Sequence, residues 1–244
     1  PSAGWRIAAA HSDSPAYRVK GAAVKSGCTM LLTEGYGGMI RASWLDRPLG
    51  LAGRVLVRTA AGVEARLIAP DRDLAVMPHP AIHLDRGLND GHKYDPKADM
   101  QALFAPGDKT AGYEALLAAE AGCAVEDILG ADILLYCRQE GTTAGAEGEL
   151  ILCPRLDDLA CAWATLQGFL EAPASEEGAV WCLFDNEEVG SGTRQGALGT
   201  FLPDVLAAAG EALGETEDER RQGIARSLAL SADNGHALHP NFAG

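Results

Sequence analysis

Basic residues are scarce and scattered. The 244 residues include 20 Lys and Arg against 34 Asp and Glu, a formal net charge of −14. No cluster of Lys and Arg provides the basic face that nucleic-acid binding needs. No apolar run is long enough to span a bilayer. No basic opening followed by an apolar stretch marks a secretory signal. None of the six cysteines, at positions 28, 123, 137, 153, 161 and 182, forms a C-x-x-C pair, and several sit in apolar runs. Reduced thiols and a cytoplasmic chain fit that usage better than a disulfide framework. A phosphate-binding G-x-x-x-x-G-K-[ST] is missing too, and GSGTRQG (190–196) has neither the Lys nor the strand-to-helix context that motif needs. Position 1 is not Met, and both ends read as if cut in mid-domain, so a piece of a longer protein is expected.

Apolar residues make up 47% of the chain, enough for a real core, and the length suits one large domain or two smaller ones. RIAAA (6–10) reads as a short buried strand. Residues 53–69 read as two strands turning near Ala61-Gly62. YEALLAAEAG (113–122) is a helix closed by Gly122. VEDILGADILLYC (125–137) is a short helix and then a strand. EGTTAGAEGE (140–149) reads as a loop, and GETEDERRQG (214–223) as a solvated loop or helix face. LDDLACAWATLQGFL (156–170) has helical apolar spacing with two acids at its start, where the helix dipole favours negative charge. GAVWCLF (178–184) and RSLALSAD (226–233) are strands. Strands and helices alternate near both ends, which predicts an α/β sheet. The middle, roughly 25–140, reads as a β-rich insertion.

Acids gather where these strands stop. IAAA runs into His11 and Asp13, ILCPR into Asp157 and Asp158. VWCLF runs into Asp185, Glu187 and Glu188, and SLALSA into Asp233, His236 and His239. Parallel α/β sheets place their ligand crevice at the carboxyl ends of the strands, so distant segments can meet there. Crowded carboxylates repel and raise one another's pKa values, which a divalent cation relieves. Histidine with carboxylates and no thiolate is the donor set of catalytic Zn²⁺, Mn²⁺ or Co²⁺. Taken singly, each acid is as readily a turn residue or a helix cap; four such sites in one chain shift the reading towards metal.

Six blocks, AAHSDSPAYRVK, YGGMIRASWLDRPLGLAGRVLV, PHPAIHLDRGLN, PRLDDLACAWATLQ, LFDNEEVGSGTRQGA and SADNGHALHPNF, resemble in order those of the aspartyl aminopeptidase family of co-catalytic zinc exopeptidases. The resemblance implies a zinc-aminopeptidase-type α/β catalytic domain, with a mixed sheet and flanking helices, interrupted by a β-rich dimerisation domain. The boundaries expected are 1–24 and 144–244 for the catalytic domain and 25–143 for the insertion. It implies two divalent ions, zinc with Mn or Co as alternatives, and removal of an N-terminal Asp or Glu from peptides. It also implies homodimers that build a dodecamer, with no nucleic-acid or membrane partner. Carried over by residue, His11 and Asp233 hold one metal, Glu188 the other, and Asp157 bridges them. Glu187 is the general base and Asp13 orients His11. His236 lies near substrate, and His83 reaches the active site of a partner subunit. Asp158 stands where the family more often has Asn and reads as a helix cap or as an extra negative charge that perturbs the site beside Asp157. His239 reads as a brace for its own loop or as a catalytic residue. His79 and His92 read as ordinary loop residues, and Asp46 with Arg47 as an ion pair. The family's last histidine ligand has no counterpart in this sequence. The resemblance leaves open a related deacylase, a peptidase of other specificity, or an inactive oligomer-forming remnant.

Overall fold

A computed structural model describes residues 3–242. In chain order the elements are β1 (Trp5–His11), β2 (Ala16–Lys25), β3 (Cys28–Tyr36), β4 (Leu49–Thr59), β5 (Gly62–Ile68), β6 (Ala102–Pro106), α1 (Thr110–Ala121) and β7 (Ile128–Cys137). They continue with β8 (Thr142–Ala144), β9 (Leu150–Leu152), α2 (Leu156–Glu171), β10 (Gly178–Phe184), α3 (Phe201–Ala212), α4 (Glu217–Ala225) and β11 (Leu228–Ser231). The chain divides into two compact units, one of Pro1–Ser14 with Arg155–Gly244 and one of Pro15–Pro154.

The first unit is built on a three-stranded parallel sheet in the order β10-β1-β11. Its central strand, WRIAAAH, is buried along almost its whole length, as a parallel strand covered on both faces must be. Trp5 and Ile7 point to one face and pack with Val180 of β10 and with Leu202, Leu206 and Ala209 of α3. The other face takes α2: the Trp181 indole N–H donates to Thr165 Oγ1 at 3.1 Å. Ala8 stands beside Trp181 in the register, and a small side chain there lets the helix approach closely. α4 begins in a capping box, with Thr216 and Glu219 each bonding the other's backbone N–H. This places the charge run 214–223 largely on a helix. The α/β class expected from the alternating pattern is the class observed.

The second unit carries a six-stranded antiparallel sheet, β5-β4-β7-β2-β3-β6. Leu49, Leu51, Val55 and Val57 of β4 are buried at alternate positions. They join a core completed by Tyr113, Leu117 and Ala121 of α1. β4 and β7 approach so closely at Gly53 that an added Cβ would stand 2.1 Å from the Asp132 carbonyl oxygen. Gly122 ends α1 in the left-handed conformation, and the Cys123 N–H reaches back to the Ala118 carbonyl.

The units meet the sequence at 14/15 and 154/155, not at the expected 24/25 and 143/144. β2 pairs with β3 and β7, so it belongs to the six-stranded sheet. The glycine-rich stretch 140–149 is not wholly a loop: β8 and β9 pair as a hairpin, Thr142 opposite Leu152. Asp46 does not hold Arg47. Its carboxylate accepts the His79 backbone N–H, and Arg47 donates to Gln139.

His92 is more than a loop residue. Its Nδ1 lies 3.0 Å from Asp85 Oδ2 and its Nε2 lies 3.2 Å from Asp99 Oδ2. A neutral imidazole has one donor and one acceptor nitrogen, so only the imidazolium satisfies both carboxylates. Hydrogen bonding to Asp99, then to Asp85, raises its pKa above 6.5 against the opposing pull of desolvation. The folded value exceeds the unfolded one, so the stabilisation is fully present below about pH 6.5 and is lost as pH rises through the folded value. An NMR titration of the His92 ring should therefore have its midpoint above 6.5, and Asp99→Asn should lower it. A midpoint at or below 6.5 in the unaltered protein contradicts the two-carboxylate clamp.

Candidate metal centre

β1 is the middle strand and its neighbours run parallel to it, so the carboxyl ends of all three strands open on one edge. His11 is the last residue of β1 and lies opposite Phe184, the last residue of β10. The ladder continues past the strands, with the Ser12 N–H bonded to the Phe184 carbonyl and the Ala232 N–H to the Ala9 carbonyl. Asp233 and the Glu187–Val189 turn are thereby delivered to either side of His11. α2 supplies the rest. Arg155 stands in the left-handed region and Asp157 and Asp158 depart from helical geometry, so the two acids lie in a bend before the regular helix. The peptide bond between them is cis.

The His11 side chain is 4% exposed. Its Nε2 lies 3.5 Å from Asp157 Oδ1, 3.7 Å from Asp233 Oδ1 and 3.8 Å from Glu187 Oε2. Its Nδ1 faces Asp13, 3.2 Å from Oδ1 and 3.1 Å from the backbone carbonyl. With Nδ1–H donated there, the Nε2 lone pair points into the acids. Asp13 does a second job: its two carboxylate oxygens accept the backbone N–H groups of Glu187 and Glu188, each at 3.1 Å. One buried acid thus fixes both the imidazole and the turn that carries the paired glutamates.

Negative charge is crowded here. Desolvation and then the Asp233 charge raise the Asp157 pKa. Desolvation, Asp157 and Asp13 raise that of Glu188. Burial pulls the His11 pKa down, yet the charges of Asp13, Asp158 and Glu187 and a backbone bond at Asp13 leave it above its usual value. Each shift is what a cation among these groups would reverse.

Ligand atoms of His11, Asp157, Asp158 and Asp233 all lie within 4.8 Å of one another. Donors around tetrahedral zinc at its usual bond lengths stand roughly 3.3–3.6 Å apart. The distances from His11 Nε2 therefore need to close by only tenths of an ångström, and a divalent ion fits this donor set.

The structure brings together His11, Asp13, Asp157, Glu187, Glu188 and Asp233, all in the first unit. Glu188 stands beside Asp157 but outside the four-residue group. His236 is exposed, with Nδ1 3.4 Å from the Ala237 carbonyl oxygen. His239 braces its loop: its Nδ1 accepts the Asn241 N–H, and its ring meets the Phe242 ring edge-on at 4.8 Å. His83 lies in an exposed turn of the second unit. Asp158, expected as a helix cap, stands at the bend just before the regular part of α2. Its carboxylate is fully buried and bonds the His11 backbone N–H and the Asn234 side-chain amide. The sequence reading missed Asn234, and its only signal was its place next to Asp233.

A family profile described as aminopeptidase I zinc metalloprotease (M18) matches residues 1–244. A probable M18 family aminopeptidase 2 from Clostridium acetobutylicum is 35% identical over 247 residues, or 98% of this chain and 57% of that protein. In the solved Ape4 and Nbr1 complex, a chain superposes with a TM-score of 0.90 at 32% identity, covering 100% of this chain and 52% of its own length. The S. cerevisiae mApe1 dodecamer gives 0.81 at 25% identity, covering 99% of this chain and 57% of that one. The chain spans little more than half the length of the relatives it matches. With the family pattern running from its first residue to its last, the chain belongs to the M18 family of aminopeptidase I zinc metalloproteases.

Proposed function

We propose that the protein is a metal-dependent aminopeptidase that removes an N-terminal Asp or Glu from peptides. The observation that carries this reading is the convergence of His11, Asp157 and Asp233 at one sheet edge, beside two glutamates clamped by one buried aspartate. His11, Asp157 and Asp233 would hold one divalent ion, and Asp157 with Glu188 a second. Zinc is the family's metal, and Mn or Co suit the same donors. When bound, such ions polarise a carbonyl and acidify water. Glu187 takes the proton of the attacking water and passes it to the leaving amine. Asp13 holds His11 in the tautomer that presents Nε2. His236 contacts the substrate, and His83 serves the site of a partner copy. The β-rich unit carries the dimer contact, and dimers assemble further, as the dodecameric relative does. Reduced cysteines and no described helix long and apolar enough to cross a membrane fit a cytoplasmic enzyme.

The test uses the full-length gene product loaded with zinc, Mn or Co and given peptides that differ only in their first residue. Release of N-terminal Asp or Glu, abolished by chelation and restored by metal, is the expected result. A metal-loaded protein that cleaves no N-terminal residue refutes the reading.

A second expected result concerns stoichiometry. His11, Asp157 and Asp233 make a three-ligand site, whereas among the described residues the second site has Glu188 and the Asp157 it shares with the first. Two carboxylates without imidazole hold borderline metals weakly. Dialysed against micromolar buffered zinc, the 244-residue chain should retain about one ion and show little aminopeptidase activity. Two tightly held ions in metal analysis would reveal a replacement ligand, to be sought first at His236 and His239.

A further inference from the structure

Three of the elements that meet at the metal centre also meet at a group that faces away from solvent. Asp158 is 0% exposed, whereas the side chains of Asp157 and Asp233 are 57% and 55% exposed. Its Oδ2 accepts the His11 backbone N–H at 3.1 Å, and its Oδ1 accepts from Asn234 Nδ2 at 3.2 Å. The same Asn234 nitrogen donates to the Leu156 carbonyl at 2.7 Å. These partners of Asp158 are donors, and an ionised carboxylate is the side chain that only accepts. The donors come from the end of β1 and the segment after β11, and Asp158 itself lies at the start of α2. Each of those segments also carries one of His11, Asp233 and Asp157.

We propose that Asp158 is a positioning residue of the metal centre, a buried strut that sets the spacing of His11, Asp157 and Asp233 and is not itself a ligand. This rests on the metalloenzyme reading of the site. The rival account makes Asp158 a fourth ligand, since its oxygens lie within 4.8 Å of the other three groups. The two accounts differ in what asparagine does. The Asp158→Asn side chain would keep one acceptor oxygen for the His11 N–H but would turn its amide towards the Asn234 donor. A strut is then partly preserved, whereas an anionic ligand is lost as completely as with alanine.

The experiment uses Zn²⁺ and Co²⁺ alone, measured by competition with a chelator, on the unaltered chain and on Asp158→Asn, Asp158→Ala and Asn234→Ala. Circular dichroism checks that each variant is folded. Asp158→Ala should weaken zinc on the order of 10- to 100-fold, the usual consequence of removing a group that holds a ligand in place. Asp158→Asn and Asn234→Ala should each lose less. At saturation the Co²⁺ d–d bands should keep their position in every variant, because the ligands are unchanged. Equal losses for asparagine and alanine together with shifted Co²⁺ bands would make Asp158 a ligand and overturn the proposal. Zinc affinity unchanged in all three variants would overturn it as well. If Asp158→Ala does not fold, Asp158→Asn and Asn234→Ala carry the comparison. If neither the unaltered chain nor the full-length protein binds either metal tightly, the metalloenzyme reading itself is refuted, a result distinct from either of these.

Discussion

Glu187→Gln in the full-length protein should lower turnover by about a hundred-fold or more while leaving metal content nearly unchanged. The substitution keeps shape and removes only the ability to accept a proton. The turn stays in place, because Asp13 holds it through the backbone N–H groups of Glu187 and Glu188. Glu187 Oε2 stands 3.8 Å from His11 Nε2, at the margin of the acid cluster and 42% exposed, where it can meet a water. Glu188 lies where desolvation and Asp157 already oppose its ionisation, which is the setting of a ligand waiting for a cation. Glu188→Ala should therefore release metal. A hundred-fold loss corresponds to about 2.7 kcal/mol of barrier, within reach of one proton-transfer group. Metal analysis beside steady-state kinetics decides the matter. If Glu187→Gln sheds as much metal as Glu188→Ala, the roles given to these neighbours are wrong.

The acids were legible in the sequence because strands announce themselves by apolar runs, and the residues just after such a run must sit at a strand end. That reasoning placed His11, Glu187 and Asp233 at one edge, and the sheet order β10-β1-β11 puts them there; Asp157 reaches them from the bend at the start of α2, because the strand before it, β9, pairs with β8 and not with this sheet. Other features were out of reach, each for a physical reason. The boundary at 24/25 was misplaced because the first 25 residues hold two strands of similar composition, and only hydrogen bonding shows that β2 pairs with β3 and β7. The β8–β9 hairpin was hidden by glycines, whose turn propensity outweighs three-residue strands in any local reading. Asp158 looked like a cap because an acid before an apolar helix usually is one. The bend at Asp157 and Asp158 turns it inward instead, and nothing in the local sequence encodes that direction. His92 could be seen as a histidine near acids, but not as one placed between two of them, since Asp85 and Asp99 each lie seven residues away on a segment of turns with one short 3-10 helix, Leu88–Asp90, whose course no periodicity announces.

Asp13→Ala is expected to damage binding and turnover together, and by more than a residue that only orients a histidine would. The Asp13 side chain is 6% exposed. Its Oδ1 meets both His11 Nδ1, at 3.2 Å, and the Glu187 N–H, at 3.1 Å, while its Oδ2 meets the Glu188 N–H. Loss of the carboxylate contact leaves Nδ1 only the Asp13 backbone carbonyl, at 3.1 Å, to hold the ring and its tautomer, which should weaken zinc roughly 10-fold. Loss of the other two bonds leaves two backbone donors unpaired and lets the Glu187 turn relax. That second effect is not repaired by adding metal. At saturating zinc the full-length variant should still turn over about a hundred-fold more slowly, since a general base must stay within hydrogen-bond reach of the proton it takes. Asp13→Asn should be nearly as poor. Its single acceptor oxygen cannot serve donors on both sides, and its amide would face an N–H wherever the oxygen does not. Zinc titration followed by turnover at saturating zinc separates the two effects. Full recovery of Asp13→Ala at high zinc would confine Asp13 to His11 and remove it from the placement of Glu187.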